Sequence, residues 1–372
     1  MLEAIVGHIL LLWTVVYFCS YNWFSAAGPY GGETQAEYGP SFTTRIAMEK
    51  LQLPRIEWLD RSGLVLHATP LAEAPQVLGL NLTRGCGQRC AFCSVRAYPG
   101  YAGDQLLQVY KNTGGRLDAE LAHRKNPPRA VFLSPSSDPF PPFNEVQAEV
   151  GRVIHVLGER GVQAWLMTRG FIRPSIVKVL ARKPHLVKVT IAMTTLNRSL
   201  QRKLEPLSAP PRLRLRQMAE LQRMGIAVKV ALEPLIPGLT DTRENVQPLL
   251  EALAGMGIRQ VTAGYLFERQ RIAENLQPVL EEQNVDDEVM KAYSLGSWLR
   301  VPGMASARFL PRRHRQRGYA SLMALGSKLG ITVSVSGILN PDFNAPRIGS
   351  SSPFSRQPLL PLLIQQPIAN GM

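Results

Sequence analysis

Cysteine is scarce: there are four in 372 residues, and three of them fall within eight positions, at Cys86, Cys90 and Cys93. So few thiols in so long a chain exclude a disulfide-stapled scaffold. Thiols gathered two or three residues apart point instead to metal or redox chemistry in a reducing, cytoplasmic compartment. Acidic side chains are also in short supply, 28 against 42 lysines and arginines, which leaves a formal net charge of +14. That balance suits an anionic partner such as nucleic acid and says nothing about fold. The densest basic run, RRHRQR at Arg312 to Arg317, reads by default as a solvated helix face. Histidine is rare, and the next one after the cysteines is His123. Long apolar runs are confined to Ala4 to Cys19, which is shorter than the ~20 residues of a spanning helix. Only Glu3 carries charge before that run and the first basic side chain after it is Arg45, so it lacks the basic flank of a secretory signal. Three readings stay open for it: a weak membrane anchor, a helix packed on the main domain, or an extension from an early start codon. The last two are favoured, and residues 4–19 keep a membrane partner open without arguing for one.

What is present is a rhythm. Hydrophobic residues make up 45% of the chain, enough for a sizeable core. Residues 1–50 form the apolar segment and a Gly-, Ser- and Thr-rich linker. Residues 51–75 form a short strand region, with 55–70 reading as a strand pair around a Ser-Gly turn. From there strand patterns at 77–83, 130–136, 162–168, 186–195, 226–238 and 258–267 alternate with helical spacing at 144–161, 173–183, 211–225 and 244–257. Such alternation means parallel strands joined by right-handed crossovers, in a doubly wound sheet or a full or partial barrel. In either, the site lies beyond the C-terminal strand ends. The cysteines directly follow the first strand, and the polar loop SPSSDPF directly follows the second. The core is drawn at 76–290, a helical and strand extension at 291–343 with a late strand at 330–338, and an aperiodic, disordered tail at 344–372.

Counting ligands narrows the chemistry of Cys86-x3-Cys90-x2-Cys93. A structural zinc needs four ligands, and only three are at hand. A redox pair needs two and leaves one unexplained. A cubane iron–sulfur cluster held by three thiolates keeps one iron open, as a catalytic metal requires.

With the aromatic Phe92 before the last cysteine and the loop set after the first strand, the motif resembles the radical S-adenosylmethionine superfamily, over roughly Gln76 to Phe267 and more weakly to Pro341. SPSSDPFPPFNE, LMTRG, VTIAMTTLNRSLQRKLEP and LEPLIPGLTD are similar to its spore photoproduct lyase-like (DNA repair photolyase-like) branch. The resemblance implies an α/β fold, a partial (β/α)6 barrel of the TIM type with N- and C-terminal extensions. It implies a [4Fe–4S] cluster on Cys86, Cys90 and Cys93, with S-adenosylmethionine on the open iron and a flavodoxin- or ferredoxin-type electron donor. The reaction it implies is cleavage of S-adenosylmethionine to a 5′-deoxyadenosyl radical that abstracts hydrogen, with nucleic acid held open as substrate. Carried across, it sets Phe92 by the cluster, Ser136, Ser137 and Asp138 near the cofactor's amino group, and Arg169 at its carboxylate. Thr190 and Thr194 fall on one inward strand face, and Ile236 to Gly238 lie at the adenine. Taken singly, the serine loop could be a plain turn, Arg169 a surface cation and Thr190 strand filler. The chain departs from the branch's lyases in having no cysteine after the second strand, so photoproduct repair is not expected. A non-catalytic iron–sulfur redox or metal-binding module is the competing expectation.

Overall fold

The computed structural model describes residues 53–69, 76–97, 101–301 and 306–343. The apolar run 4–19, Cys19, the linker, Tyr98 and the tail 344–372 lie outside the described residues. The chain enters through strands β1 (Arg55–Leu59), β2 (His67–Ala68), β3 (Val77–Leu80) and β4 (Thr83–Arg84). The cysteine loop follows, then β5 (Leu106–Tyr110) and helix α1 (Thr113–His123). Strand–helix units succeed it: β6 (Ala130–Leu133), α2 (Asn144–Glu159), β7 (Gln163–Thr168), α3 (Pro174–Leu180), β8 (Val187–Ala192), α4 (Arg198–Leu204), α5 (Pro211–Arg223), β9 (Ala227–Leu235), α6 (Arg243–Gly255) and β10 (Gln260–Tyr265). Next come α7 (Gln270–Glu282), α8 (Asp286–Ser294), a hairpin of β11 (Ser297–Arg300) and β12 (Ser306–Phe309), α9 (Arg312–Lys328) and β13 (Thr332–Val335). Helices α3 and α5 open on proline, where the missing N–H has no helical partner to lose.

The main sheet runs β13-β10-β9-β8-β7-β6-β3-β2. From β3 to β13 every pairing is parallel, and β2 adds an antiparallel edge. From β3 to β10 the spatial order follows the chain order without reversal. A doubly wound sheet must reverse at a switch point, so the α/β architecture is that of an open, partial barrel. Right-handed crossovers in one winding direction put the helices on one face.

Strand alternation sorts the residues accordingly. Leu80, Val131, Leu166, Val189, Ile191 and Val230 face the helices and join one core with Val150, Ile176, Met218 and Leu249. The register places Phe132, Trp165, Met167, Lys188, Thr190 and Lys229 on the opposite, inner face.

Some expectations shift. β1 and β2 do not pair with each other: β1 joins β5 and β4 in a separate small sheet, and β2 joins β3. The second strand stops at Leu133 because Ser134 turns to φ 55, a conformation incompatible with a strand. The late strand is real and pairs with β10. The β11–β12 hairpin has no strong alternation to announce it in the sequence. The basic run at the start of α9 is not a solvated face. Arg315 is 1% exposed, paired with Asp342 at 2.7 Å, and its guanidinium stands 4.8 Å from the Phe343 ring centre. Arg312 stacks on the same ring, leaving Arg313 and Arg317 exposed.

Candidate active site at the mouth of the barrel

The cysteine loop leaves β4 through Gly85, whose φ of +90 only a residue without Cβ adopts freely. Its shape is fixed from outside. The Ala91 N–H donates to the Leu204 carbonyl (2.8 Å), and the Leu207 N–H donates to the Gln88 carbonyl (3.3 Å). The end of α4 and the chain just beyond it thus brace the loop. Within it, the Cys93 N–H donates to the Cys90 carbonyl at 3.1 Å. Backbone N–H groups of Gln88 and Asp138 point at the Cys86 sulfur, and that of Val95 at Cys93. Burial pushes all three thiols up; Cys93 adds to the rise at Cys86, and Cys93 and Cys86 add to it at Cys90. Arg169 works against that rise at Cys90 and Cys93.

The loop after β6 packs over the cysteines. Asp138 is 8% exposed and fully engaged: its Oδ1 accepts from the Phe140 N–H (2.8 Å) and the Thr168 hydroxyl (2.6 Å), its Oδ2 from the Arg169 N–H (2.7 Å). It welds this loop to the end of β7. Gly170 completes the weld, since any Cβ there would overlap the Phe140 carbonyl. Ser136 donates its N–H to Asn81 Oδ1 (3.1 Å), and Ser137 Oγ accepts from the Thr83 hydroxyl (2.9 Å).

Arg169 sits at the inner rim. Its Nε lies 3.2 Å from Glu205 Oε1, its Nη2 donates to the Glu233 carbonyl, and its guanidinium stands 5.2 Å from the Phe92 ring centre. Burial alone would lower Arg169, but Glu205, Cys90 and Asp138 hold it above the ordinary arginine value. Glu205 is fully buried. Burial would raise it, yet Arg214 and Arg169 keep its carboxyl below the usual range. The Thr194 hydroxyl donates to the same carboxylate (2.9 Å). Thr190 lies on the inner face of β8, two residues short of its end. Ile236 is sealed in the core, and Gly238 lies in the turn after β9, its N–H donating to Asp241 (2.8 Å). A Cβ on Gly238 would come within 3.1 Å of the Glu288 carboxylate.

The structure therefore brings Phe92, Asp138, Arg169 and Thr194 around the cysteine loop, with Ser136 and Ser137 in the adjoining loop. Thr190 and Ile236 to Gly238 lie on neighbouring strands. Two acidic residues escape a reading of the sequence. Glu205 sits in LEP and Glu233 in LEP of LEPLIPG, and either glutamate beside proline reads as loop chemistry until its cationic partners are known.

No family model matches the chain. A stretch of 189 residues is 28% identical to the radical SAM Nalpha-GlyT isomerase of Pseudomonas phage M6, over 48% of this chain and 38% of that protein. An uncharacterized protein of Mycobacterium tuberculosis is 26% identical over 207 residues, 53% of this chain and 61% of its own length. Each alignment spans less than two thirds of that relative. The solved spore photoproduct lyases share the architecture. One, with bound AdoMet and dinucleoside spore photoproduct, superposes with a TM-score of 0.59 at 12% identity, over 84% of this chain and 87% of that one. The fold is that of the solved spore photoproduct lyases. Within that fold, the cysteine loop of this chain follows the first barrel strand, β3, and the short β4.

The residues present fit an iron–sulfur cluster. The three thiols are free, lie close enough to feel one another's charge, and carry N–H donors of the kind that tune cluster sulfurs. Among the described residues, no three His, Cys, Asp or Glu side chains converge tightly enough to hold a single ion. Two buried atoms beside the loop, Gln88 Oε1 and Ser134 Oγ, have no hydrogen-bond partner. Buried polar atoms in that state are completed by an ordered water, an ion or a ligand.

Proposed function

We propose that the chain is a radical S-adenosylmethionine enzyme, with Cys86, Cys90 and Cys93 as ligands of a [4Fe–4S] cluster whose remaining iron takes S-adenosylmethionine. The observation that carries this reading is the trio of free thiols, Cys90 buried and Cys86 and Cys93 part-buried, set in one loop beside Arg169 at the C-terminal mouth of a singly wound barrel. When bound, the two groups supply a 5′-deoxyadenosyl radical, the electron coming from a flavodoxin- or ferredoxin-type donor.

The rest falls to the chain. Asp138 keeps its backbone N–H aimed at Cys86 by anchoring its carboxylate on β7. Ser136 and Ser137 lie in the same loop and face the amino group of the cofactor. Arg169, with Nε and Nη2 engaged, turns its Nη1 donors to the cofactor's carboxylate. Phe92 fixes the guanidinium plane. Thr190 and Thr194 turn their hydroxyls to the cofactor, and in the turn from Ile236 to Gly238 the part-exposed Gly238 is the piece left to meet the adenine, Ile236 being sealed beneath it. The closed core behind β6 to β10 excludes water from the outer face.

The substrate in this reading is nucleic acid or a nucleoside derived from it. Support comes from the +14 charge, from the exposed Arg313 and Arg317, and from the dinucleoside bound in the structural neighbour.

The experiment is anaerobic reconstitution with iron and sulfide, dithionite reduction, and chromatography for 5′-deoxyadenosine. Its formation from S-adenosylmethionine is expected. A reducible cluster that never cleaves the cofactor would instead identify a redox module, and a protein that takes up zinc alone would end both iron readings.

A further inference from the structure

His67 and Gly79 are register partners on β2 and β3. The glycine makes room for the imidazole: a Cβ on Gly79 would come within 2.6 Å of His67 Cε1 and 3.2 Å of Pro135 Cγ. The ring thus sits over β3 beside Pro135, the residue before Ser136.

Its hydrogen bonds fix where its proton lies. Nδ1 stands 3.0 Å from the Ala68 carbonyl. A carbonyl can only accept, so Nδ1 carries the proton and Nε2 is an acceptor. Asn81 Nδ2 donates to that Nε2 at 3.2 Å. The Asn81 amide has one orientation open to it, because its Oδ1 accepts the Ser136 N–H at 3.1 Å. The second hydrogen of Nδ2 points to Ser136 Oγ, 3.5 Å away. Asn81 is also held through its backbone. Arg61 donates to its carbonyl and stands 3.9 Å from the centre of the Tyr110 ring.

Each member of this chain dictates the next. An acceptor at Nε2 turns the Asn81 nitrogen towards His67 and so turns the oxygen towards the Ser136 N–H. The opposite orientation of the amide would set donor against donor at Ser136 and lose both bonds. Ser136 Oγ offers two lone pairs, and Asn81 addresses one of them. The hydroxyl is thereby oriented as an acceptor for a further donor, and an amino group is such a donor.

We infer that His67 is a positioning residue: through Asn81 it holds the Ser136 hydroxyl in the orientation that meets the amino group of S-adenosylmethionine. This rests on the proposed function for what Ser136 faces, whereas the hydrogen bonds from His67 to Ser136 do not depend on it.

The test is equilibrium dialysis of S-adenosylmethionine against the anaerobically reconstituted full chain, with iron and sulfide measured for every variant. S136A and H67F are each expected to weaken binding about tenfold, as the loss of a hydrogen bond to a polar group does. H67Q is expected to stay within about threefold of the parent, because its amide oxygen accepts from Asn81 in place of Nε2. H67F/S136A should bind no worse than S136A, since a residue acting through that hydroxyl has nothing left to act on. H67F binding as the parent does, or H67Q as weak as H67F, would overturn the inference. A full second penalty in the double variant would overturn it too, by making His67 a general brace. Where H67F does not fold, G79A takes its place, because its Cβ displaces the same imidazole from the facing strand. NMR spectra of nitrogen-labelled histidine give a reading that needs no cofactor. The His67 signal, identified by its absence from H67Q, should show the proton on Nδ1, and a proton on Nε2 would break the chain at its first link. A parent that binds no S-adenosylmethionine would defeat the proposed function and this use of His67 together, whereas variants that match a binding parent would defeat the positioning role alone.

Discussion

Arg169, directly after β7, and Glu205 after α4 form a buried ion pair, 3.2 Å from Nε to Oε1, that joins the barrel rim to the segment bracing the cysteine loop. Glu205 also holds the buried Arg214 and accepts from Thr194 and Ser208. Replacing it strands two guanidinium groups in the interior. E205A is expected to lose about 3–5 kcal/mol of stability, read by urea unfolding. E205Q is expected to lose less, because its amide oxygen still accepts. An E205A protein as stable as its parent would show that the pair is not a brace.

The cysteines are expected to act as a unit. C86A, C90A and C93A should each lose iron, sulfide and the visible absorption of the reconstituted protein, because a cubane with two protein ligands is poorly retained. C19A should keep all three. Iron and sulfide analysis checks the set, and retention of a full cluster by any of the first three would remove that residue from the ligand set.

Much of the fold is legible because long strand–helix alternation carries its own signal. Asn144 to Glu159 emerges within two residues of the spacing that announces it, and Val187 to Ala192 starts one residue late and stops three short of the strand read at 186–195. The choice between a doubly wound sheet and a barrel is not legible, because strand order is set by long-range pairing. The partner of β1 is hidden for the same reason, since β5 lies some fifty residues on. At the site, the thiols are readable from spacing alone. Glu205 and Glu233 are not, since a carboxylate's role depends on cations brought from other elements. Arg315 passes for a surface residue because helical spacing does not reveal that Asp342 and Phe343 wait on the next segment.

Glu233 gives a pH signature. Burial raises its carboxyl to about 7, against the partial relief of Arg169 and the hydrogen bond from Ser336. The charged and titratable groups near it are Arg169, Tyr319 and, further down its own strand, Lys229. From its ordinary value of 4.5 up to about 7, the folded chain keeps a proton that the unfolded chain has released. Stability therefore falls as pH rises through that window and levels off above it. E233Q lacks the proton to lose. It should be the more stable protein at pH 8, by about 1–3 kcal/mol after allowing for its partial exposure, with the difference closing at pH 4.5. Urea midpoints at the two pH values test this, and a parent with a flat profile would refute it.

The basic run of α9 divides into two jobs. Arg315 donates to Asn340 (2.7 Å) and to both Asp342 oxygens while packed between Phe309 and Phe343. R315A should therefore destabilise the chain by about 3 kcal/mol through the buried partners it leaves behind. Arg313 and Arg317 face solvent, and R313A/R317A should stay within about 0.5 kcal/mol of the parent. The same double variant is the one expected to change nucleic-acid binding. If this face meets a strand, fluorescence anisotropy with a single-stranded oligonucleotide across a salt series should show a log–log slope shallower by about 0.7 for each phosphate no longer neutralised. An unchanged slope in a fully folded R313A/R317A would take α9 out of the nucleic-acid surface. R315A could not decide the matter, because its effect on binding would come through the fold.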